Sequence, residues 1–104
     1  MGAHYTTPQV KYGVLRYRTK NGRKTEFHEI TVGSPTWFEW LTENHHFNVE
    51  THAGSFHARK ERRRNRKYWY GVKKIKGKVK KKYLGANAKL NNKTLHEAAR
   101  ELSQ

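Results

Sequence analysis

The densest group of chemically active side chains lies in residues 59 to 82, where fourteen Lys or Arg accompany a single acid, Glu61. This segment has a net charge of +13 (14 − 1), so the other 80 residues contribute only +2 of the total of +15. Cations at this density bind polyanions, because each can neutralise a phosphate and release its counterions. We expect nucleic acid as the partner, with double-stranded DNA favoured over RNA.

Apolar and aromatic residues interrupt these charges, which indicates ordered strands rather than a disordered tail. A two-residue turn at Lys76-Gly77 would pair Ile75 with Lys78, and the period of two along each strand would then separate two faces. We expect the apolar inner face to hold Tyr68, Tyr70, Val72, Lys74, Val79, Lys81 and Tyr83. Phe56, Ala58 and Lys60 of the preceding strand would also point inward. The cationic outer face would hold Arg59, Arg63, Trp69, Lys73, Lys78, Lys80 and Lys82.

This outer face is the candidate nucleic-acid-binding site. We expect its lysines to contact phosphates, whereas Arg59, Arg63 and Trp69 would carry any base preference. Gly71 would either let nucleic acid approach the backbone closely or make room for Trp69. The arginine-rich connection before the hairpin would act as a phosphate clamp or a minor-groove arm. The full candidate set is Arg59, Arg62, Arg63, Arg64, Arg66, Lys67, Trp69, Lys73, Lys78, Lys80 and Lys82.

Two other binding functions remain open at this stage. An RNA-binding protein would stack unpaired bases on Tyr68, Trp69 or Tyr70. A non-catalytic interaction module would instead use the same charges to bind an acidic protein partner.

The rest of the chain predicts the elements that hold this face in place. A strand from Val10 and its return strand would form a hairpin around Asn21-Gly22. Ser34 would cap a helix over 35–43, and a capping box from Thr94 to Glu97 would open a second helix over 94–103. The remaining strands are expected at 47–51, 55–63, 67–75 and 78–84. The predicted fold class is therefore α+β, an antiparallel sheet made of an N-terminal hairpin and a three-stranded basic sheet, with two helices on one face.

The predicted organisation is a single nucleic-acid-binding domain over residues 9–104, after a disordered segment 1–8. Its parts would be a hairpin and helix over 9–44 and the three-stranded sheet plus helix over 47–104. The apolar stripe Leu95, Ala98, Ala99 and Leu102 is expected in the core, although that C-terminal helix could also form a homodimer contact.

Several functional classes are disfavoured by the composition. The chain has no cysteine, which excludes disulfides and thiolate metal sites. No apolar run approaches the roughly 18 residues of a membrane span and no signal peptide is recognisable, so we expect a cytoplasmic, nucleoid-associated protein without a membrane partner. The histidines show no HExxH or similar ligand spacing. We therefore expect no catalytic residues, no metal and no cofactor, with a metal-dependent nuclease as the enzymatic alternative.

Four short motifs carry a resemblance to a known module: Gly33-Ser-Pro-Thr-Trp-Phe-Glu-Trp-Leu41, Gly54-Ser-Phe-His-Ala-Arg-Lys-Glu-Arg-Arg63, Tyr68-Trp-Tyr70 and Lys82-Tyr-Leu-Gly85. Together they resemble a small uncharacterised basic bacterial module, found in cyanobacteria and similar lineages and sometimes fused to LuxR-type transcriptional regulators. This resemblance covers about residues 30 to 100 and implies a setting in gene regulation.

A looser resemblance concerns architecture. Three basic strands followed by a helix are similar to the AP2 domains of plant transcription factors and to the arm-binding domains of tyrosine recombinases. Those domains lay a three-stranded sheet in the major groove and back it with the helix. The present chain differs from them by its extra N-terminal hairpin and Trp-rich helix, and by lacking their diagnostic signature.

Overall fold

Residues 7–104 are described by a computed structural model, in which they form one seven-stranded sheet with two helices. The strands are β1 (Gln9–Lys11), β2 (Val14–Asn21), β3 (Lys24–Thr31), β4 (His46–Thr51), β5 (Gly54–Arg63), β6 (Arg66–Ile75) and β7 (Lys78–Gly85). The helices are α1 (Pro35–Glu43) and α2 (Asn92–Leu102), and a short 3₁₀ turn over Asn87–Lys89 precedes α2. The strand order is β3-β2-β1-β4-β5-β6-β7, and the neighbours are antiparallel except for the parallel pair β1 and β4. The predicted α+β class is confirmed.

Both helices pack on one side of this sheet, which we call the helix face. Its strand residues are the apolar ones that pair across the sheet, such as Val10 with Val49 and Val49 with Phe56. The helices contribute the two predicted stripes to the same core: Trp37, Trp40, Leu41, Leu95, Ala98, Ala99 and Leu102. The four stripe residues of α2 are at most 3 % exposed, so they belong to the core as predicted. We call the opposite side of the sheet the open face.

Strand β1 joins the N-terminal hairpin to the rest of the sheet. A continuous strand from Val10 was expected, but the chain turns at Tyr12 and Gly13, which have positive φ values of 49° and 84°. The turn lets Val10 pair with Leu15 on one side and with Val49 on the other. The expectation of one long strand was wrong because it treated Gly13 as a strand residue, although glycine adopts positive φ at little cost.

The β2–β3 hairpin turns one residue later than predicted. Its loop is Gly22-Arg23, so Asn21 pairs with Lys24 and Leu15 pairs with Ile30. Moving the loop by one residue changes each partner by two positions, and side chains therefore stay on the predicted face. Leu15, Ile30 and Val32 are buried on the helix face, as expected.

The two helix starts show how local side chains set their bounds. Ser34 Oγ accepts a hydrogen bond from the Trp37 amide at 3.2 Å and so fixes the start of α1, whose bounds Pro35–Glu43 are those predicted. In α2 the cap is Asn91, whose Oδ1 accepts from the Thr94 amide at 2.9 Å. The predicted capping box at Thr94 is wrong, because Asn91 satisfies that amide and starts the helix earlier.

The segment 1–8 was predicted to be disordered. Its residues 1–6 lie outside the described residues, and the carbonyl of Pro8 accepts a hydrogen bond from the Asn48 amide at 2.8 Å.

Candidate nucleic-acid interface

The turn between β5 and β6 decides which side chains of the basic strands share a face. Its loop has only two residues, Arg64 and Asn65, and Arg64 has a positive φ of 58°. Consequently Ala58 pairs with Gly71, and Lys60 pairs with Trp69. The predicted faces are correct for β5 but reversed for β6 and β7, although the turn at Lys76-Gly77 is where it was predicted.

Trp69 belongs to the core and not to the interface. Its side chain is fully buried, its ring centroid lies 5.1 Å from that of Phe47, and its Nε1 donates to Asn87 Oδ1 at 2.6 Å. Tyr68, Tyr70 and Val72 were predicted to be the buried side of β6 because that side has more apolar residues. Burying one indole removes more apolar surface from water than half-burying a tyrosine. Trp69 therefore cannot contact nucleic acid in this fold.

Gly71 lies beside Trp69 beneath α2. A Cβ atom built on Gly71 would lie 2.9 Å from Leu102 Cδ1 and 3.0 Å from two ring atoms of Phe56. Such distances are too short for carbon atoms in van der Waals contact. Gly71 thus makes room for the helix and for the core, rather than for an approaching nucleic-acid backbone.

All five lysines of the predicted site lie on the helix face, so the prediction that they share the outer face is wrong. Lys73 Nζ donates to Ser103 Oγ at 3.1 Å, Lys82 Nζ donates to Glu101 Oε1 at 3.1 Å, and Lys80 Nζ donates to the Gln104 carbonyl. These bonds tie β6 and β7 to the C-terminal end of α2, where cations are favourable. Strand alternation places Arg62, Lys67 and Lys78 on this face as well.

Lys60 performs the same structural task for α1. Its Nζ donates to the Leu41 carbonyl at 2.5 Å and lies 5.2 Å from the centroid of the Trp69 ring. Burial lowers the pKa of Lys60, and the charge of nearby Lys67 lowers it further. Four of the helix-face cations therefore contact the ends of helices or of the chain segment after α2, namely Lys60, Lys73, Lys80 and Lys82.

The open face of β5, β6 and β7 gathers a different set of cations, which we call the basic open face. Arg59, Arg63 and Arg66 are the predicted site residues found there, and Arg64 lies in the turn at one end. Residues that the prediction had assigned to the inner face complete the surface: Tyr68, Tyr70, Lys74, Lys81 and Tyr83. The signal that would have found them is the two-residue loop, because it fixes their face once Phe56 and Ala58 are placed in the core.

Glu61 organises the centre of the basic open face. Its Oε2 accepts from Arg59 Nε at 2.9 Å, while its Oε1 accepts from Arg63 Nη2 at 2.9 Å and from Lys81 Nζ at 2.8 Å. The hydrogen bond from Lys81 lowers the pKa of Glu61, and the bond from Arg59 adds to this effect although burial opposes it. Glu61 is therefore an ionised carboxylate that three cations surround.

Tyr70 forms the floor of this cluster. Lys81 Nζ lies 4.6 Å from the centroid of its ring, and the Arg63 guanidinium carbon lies 5.3 Å from it. Arg63 Nε also donates to the Tyr70 hydroxyl at 3.3 Å. Cations held over an aromatic ring and against a carboxylate lose side-chain freedom before any ligand binds.

His57 lies at the border of the cluster, and its environment makes the free energy of unfolding depend on pH. Burial lowers its pKa, and the charges of His46 and Arg59 lower it further, while Nδ1 lies 2.7 Å from Asn48 Oδ1. Below about pH 6.5 the unfolded chain takes up a proton at this residue that the folded chain resists. The free energy of unfolding is therefore highest above about pH 6.5 as far as His57 is concerned. It decreases as pH falls from there through the lowered pKa that His57 has in the folded chain.

We therefore expect the melting temperature to fall between pH 7.5 and pH 5, and to fall less in His57→Gln. Thermal unfolding followed by circular dichroism across this range measures the difference. His96→Gln, which replaces an exposed histidine of α2, is the control and should keep the wild-type profile. Identical profiles for His57→Gln and wild type would contradict the assignment.

The chemistry available to the basic open face is ionic and hydrogen-bonded binding. Within residues 7–104, no three His, Asp or Glu side chains come together in a way that could hold a metal ion. In the same part of the chain, neither helix has the length and hydrophobicity needed to cross a membrane.

Comparison of the chain with protein-family models, with curated proteins and with solved structures finds no match in any of the three.

Proposed function

We propose that the protein binds double-stranded DNA through its basic open face. The observation that supports this best is that Arg59 and Arg63 of β5 and Lys81 of β7 meet at Glu61 across the intervening strand β6, on the side opposite both helices. Neighbouring strands are about 4.8 Å apart, so three strands span roughly 10 Å, which matches the roughly 12 Å width of the major groove. Cations on such a ribbon reach phosphates and base edges at once.

The architectural resemblance supports the same mode of binding. In AP2 and arm-binding domains a three-stranded sheet meets DNA with one face while a helix backs the other, and here α2 contacts β5, β6 and β7 from the helix face. The resemblance to modules fused to LuxR-type regulators suggests a small regulator, or an accessory protein of recombination or of a mobile element. These biological settings are part of the proposal.

Binding of unpaired RNA or single-stranded DNA is the second candidate, because Tyr83 is 56 % exposed on the basic open face. Stacking modules of this kind present two or three free rings. Here Lys81 and Arg63 lie over Tyr70, and the ring centroids of Tyr68 and Tyr70 lie 5.7 and 5.5 Å from that of Tyr83. The cations and neighbouring rings occupy positions where unpaired bases would stack. These contacts therefore favour duplex DNA over unpaired RNA or single-stranded DNA as the ligand.

Competition binding at one fixed salt concentration tests the proposal. We expect unlabelled duplex DNA to displace a labelled random-sequence duplex at lower concentration than a single strand or a structured RNA of equal length. A stronger competition by either of the latter would favour the second candidate. Absence of any nucleic-acid binding, together with capture of an acidic protein that survives nuclease treatment, would refute both.

A further inference from the structure

A carboxylate at the centre of a surface that binds an anion weakens that binding, and its position therefore requires an explanation. Glu61 is the one acid among the residues of β5, β6 and β7. Its side chain is 19 % exposed, and it lies on the same face as the cations that it contacts. An incoming phosphate would meet a neutralised centre and would be attracted more strongly by the cations around it.

We propose that Glu61 is a positioning residue that gives the basic open face its base preference, by holding Arg59 ready to bind guanine. This inference rests on the proposed function. It names the recognised group as the guanine edge in the major groove, whose O6 and N7 atoms accept two hydrogen bonds from one arginine.

The geometry of Arg59 fits this role. Its hydrogen bond to Glu61 uses Nε, which leaves the two terminal nitrogens free to form a fork toward a base. The side chain is 50 % exposed, so those nitrogens are accessible from the open face. An arginine already held by a carboxylate loses less conformational entropy on binding, and this advantage depends on a ligand that matches the fixed fork.

Arg63 and Lys81 have a different place in the cluster. Arg63 uses Nη2 for Glu61 and Nε for Tyr70, and Lys81 reaches Glu61 across the Tyr70 ring. They hold the carboxylate from the other side, so that it remains ionised and correctly oriented for Arg59. Glu61 therefore reduces the attraction for phosphates, which is independent of sequence. In return it holds the Arg59 guanidinium in one direction, in which it can recognise a base.

Binding-site selection with the full chain, followed by affinity measurements, tests this inference. The wild type should select sites that contain guanine. Glu61→Gln should bind a random-sequence duplex at least as tightly as the wild type, with a salt dependence steeper by up to about one unit, because one negative charge is removed. Its preference for the selected site over the random duplex should fall roughly 5- to 150-fold, the range for loss of a forked base contact.

Glu101→Gln is the matched control. It removes the same charge from α2, where Glu101 pairs with Lys82 on the helix face at 3.1 Å. We expect it to leave the base preference unchanged. A second variant, Arg59→Lys, keeps the charge but removes the fork, so the preference should be lost while the salt dependence stays that of the wild type.

The outcomes separate the inference from the proposed function. A wild type that binds no duplex would overturn the proposed function. A wild type that binds duplex without base preference, or a Glu61→Gln variant that keeps its full preference, would overturn the inference alone. Loss of preference in both Glu61→Gln and Glu101→Gln would also overturn it, since total charge rather than position would then be the cause.

Discussion

Trp69→Ala is expected to lower the free energy of unfolding by about 3–5 kcal/mol, the usual cost of removing a buried aromatic side chain. The substitution removes the indole that packs against Phe47 and leaves Asn87 Oδ1 without its donor. Small domains have a total stability of about 5–15 kcal/mol, so the variant should be marginally folded. Equilibrium denaturation in urea measures the loss.

Tyr83→Ala provides the comparison for Trp69→Ala. It removes an aromatic ring from β7 on the open face, where the side chain is 56 % exposed. We expect a loss below about 1 kcal/mol, because exposed substitutions leave no cavity. A Trp69→Ala protein that is as stable as the wild type but binds DNA weakly would return Trp69 to the interface.

Lys74→Ala combined with Lys81→Ala is expected to weaken duplex binding about 60-fold at 0.1 M salt. Each neutralised phosphate contributes about 0.9 units to the salt slope, and two such contributions amount to about 1.8 logarithmic units at that concentration. Both lysines lie on the basic open face, on neighbouring strands. Fluorescence anisotropy over a series of salt concentrations gives the affinity and the slope together.

The matched control is Lys73→Ala combined with Lys80→Ala. These residues directly adjoin the first pair in sequence and pair with each other across β6 and β7, but they lie on the helix face and contact the end of α2. Both double variants reduce the net charge by two. We expect the control to lose less than about threefold in affinity, since charges on the far side act only through screened, long-range attraction. Equal losses would show that total charge, and not the open face, determines binding.

The predictions that succeeded depend on short stretches of chain. The serine and proline before Trp37 specify the start of α1, and lysine followed by glycine specifies the turn at Lys76-Gly77. The apolar stripes of both helices follow from helical periodicity. Each of these features involves neighbours within about four residues, so no knowledge of the distant chain is needed to identify it.

The predictions that failed concern choices between equivalent local patterns. Tyr12-Gly13 was compatible with a strand as well as a turn, and the pairing of β1 with the distant strand β4 accompanies the turn. The face of β6 was similarly ambiguous, because apolar residues occur on both of its sides. Reversing that face moved Trp69 into the core and brought Lys74 and Lys81 to the open face.

By itself, the sequence determined that this chain forms an α+β domain with a strongly basic region of β-strands, since charge density and local periodicity are properties of neighbouring residues. Only the tertiary structure decided which basic residues act together. The docking of α2 over Gly71 selects the buried side of β6, and the two-residue turn at Arg64-Asn65 transmits that choice from β5. Because strand side chains alternate with a period of two, this one contact assigns every lysine and arginine of the region to one face or the other.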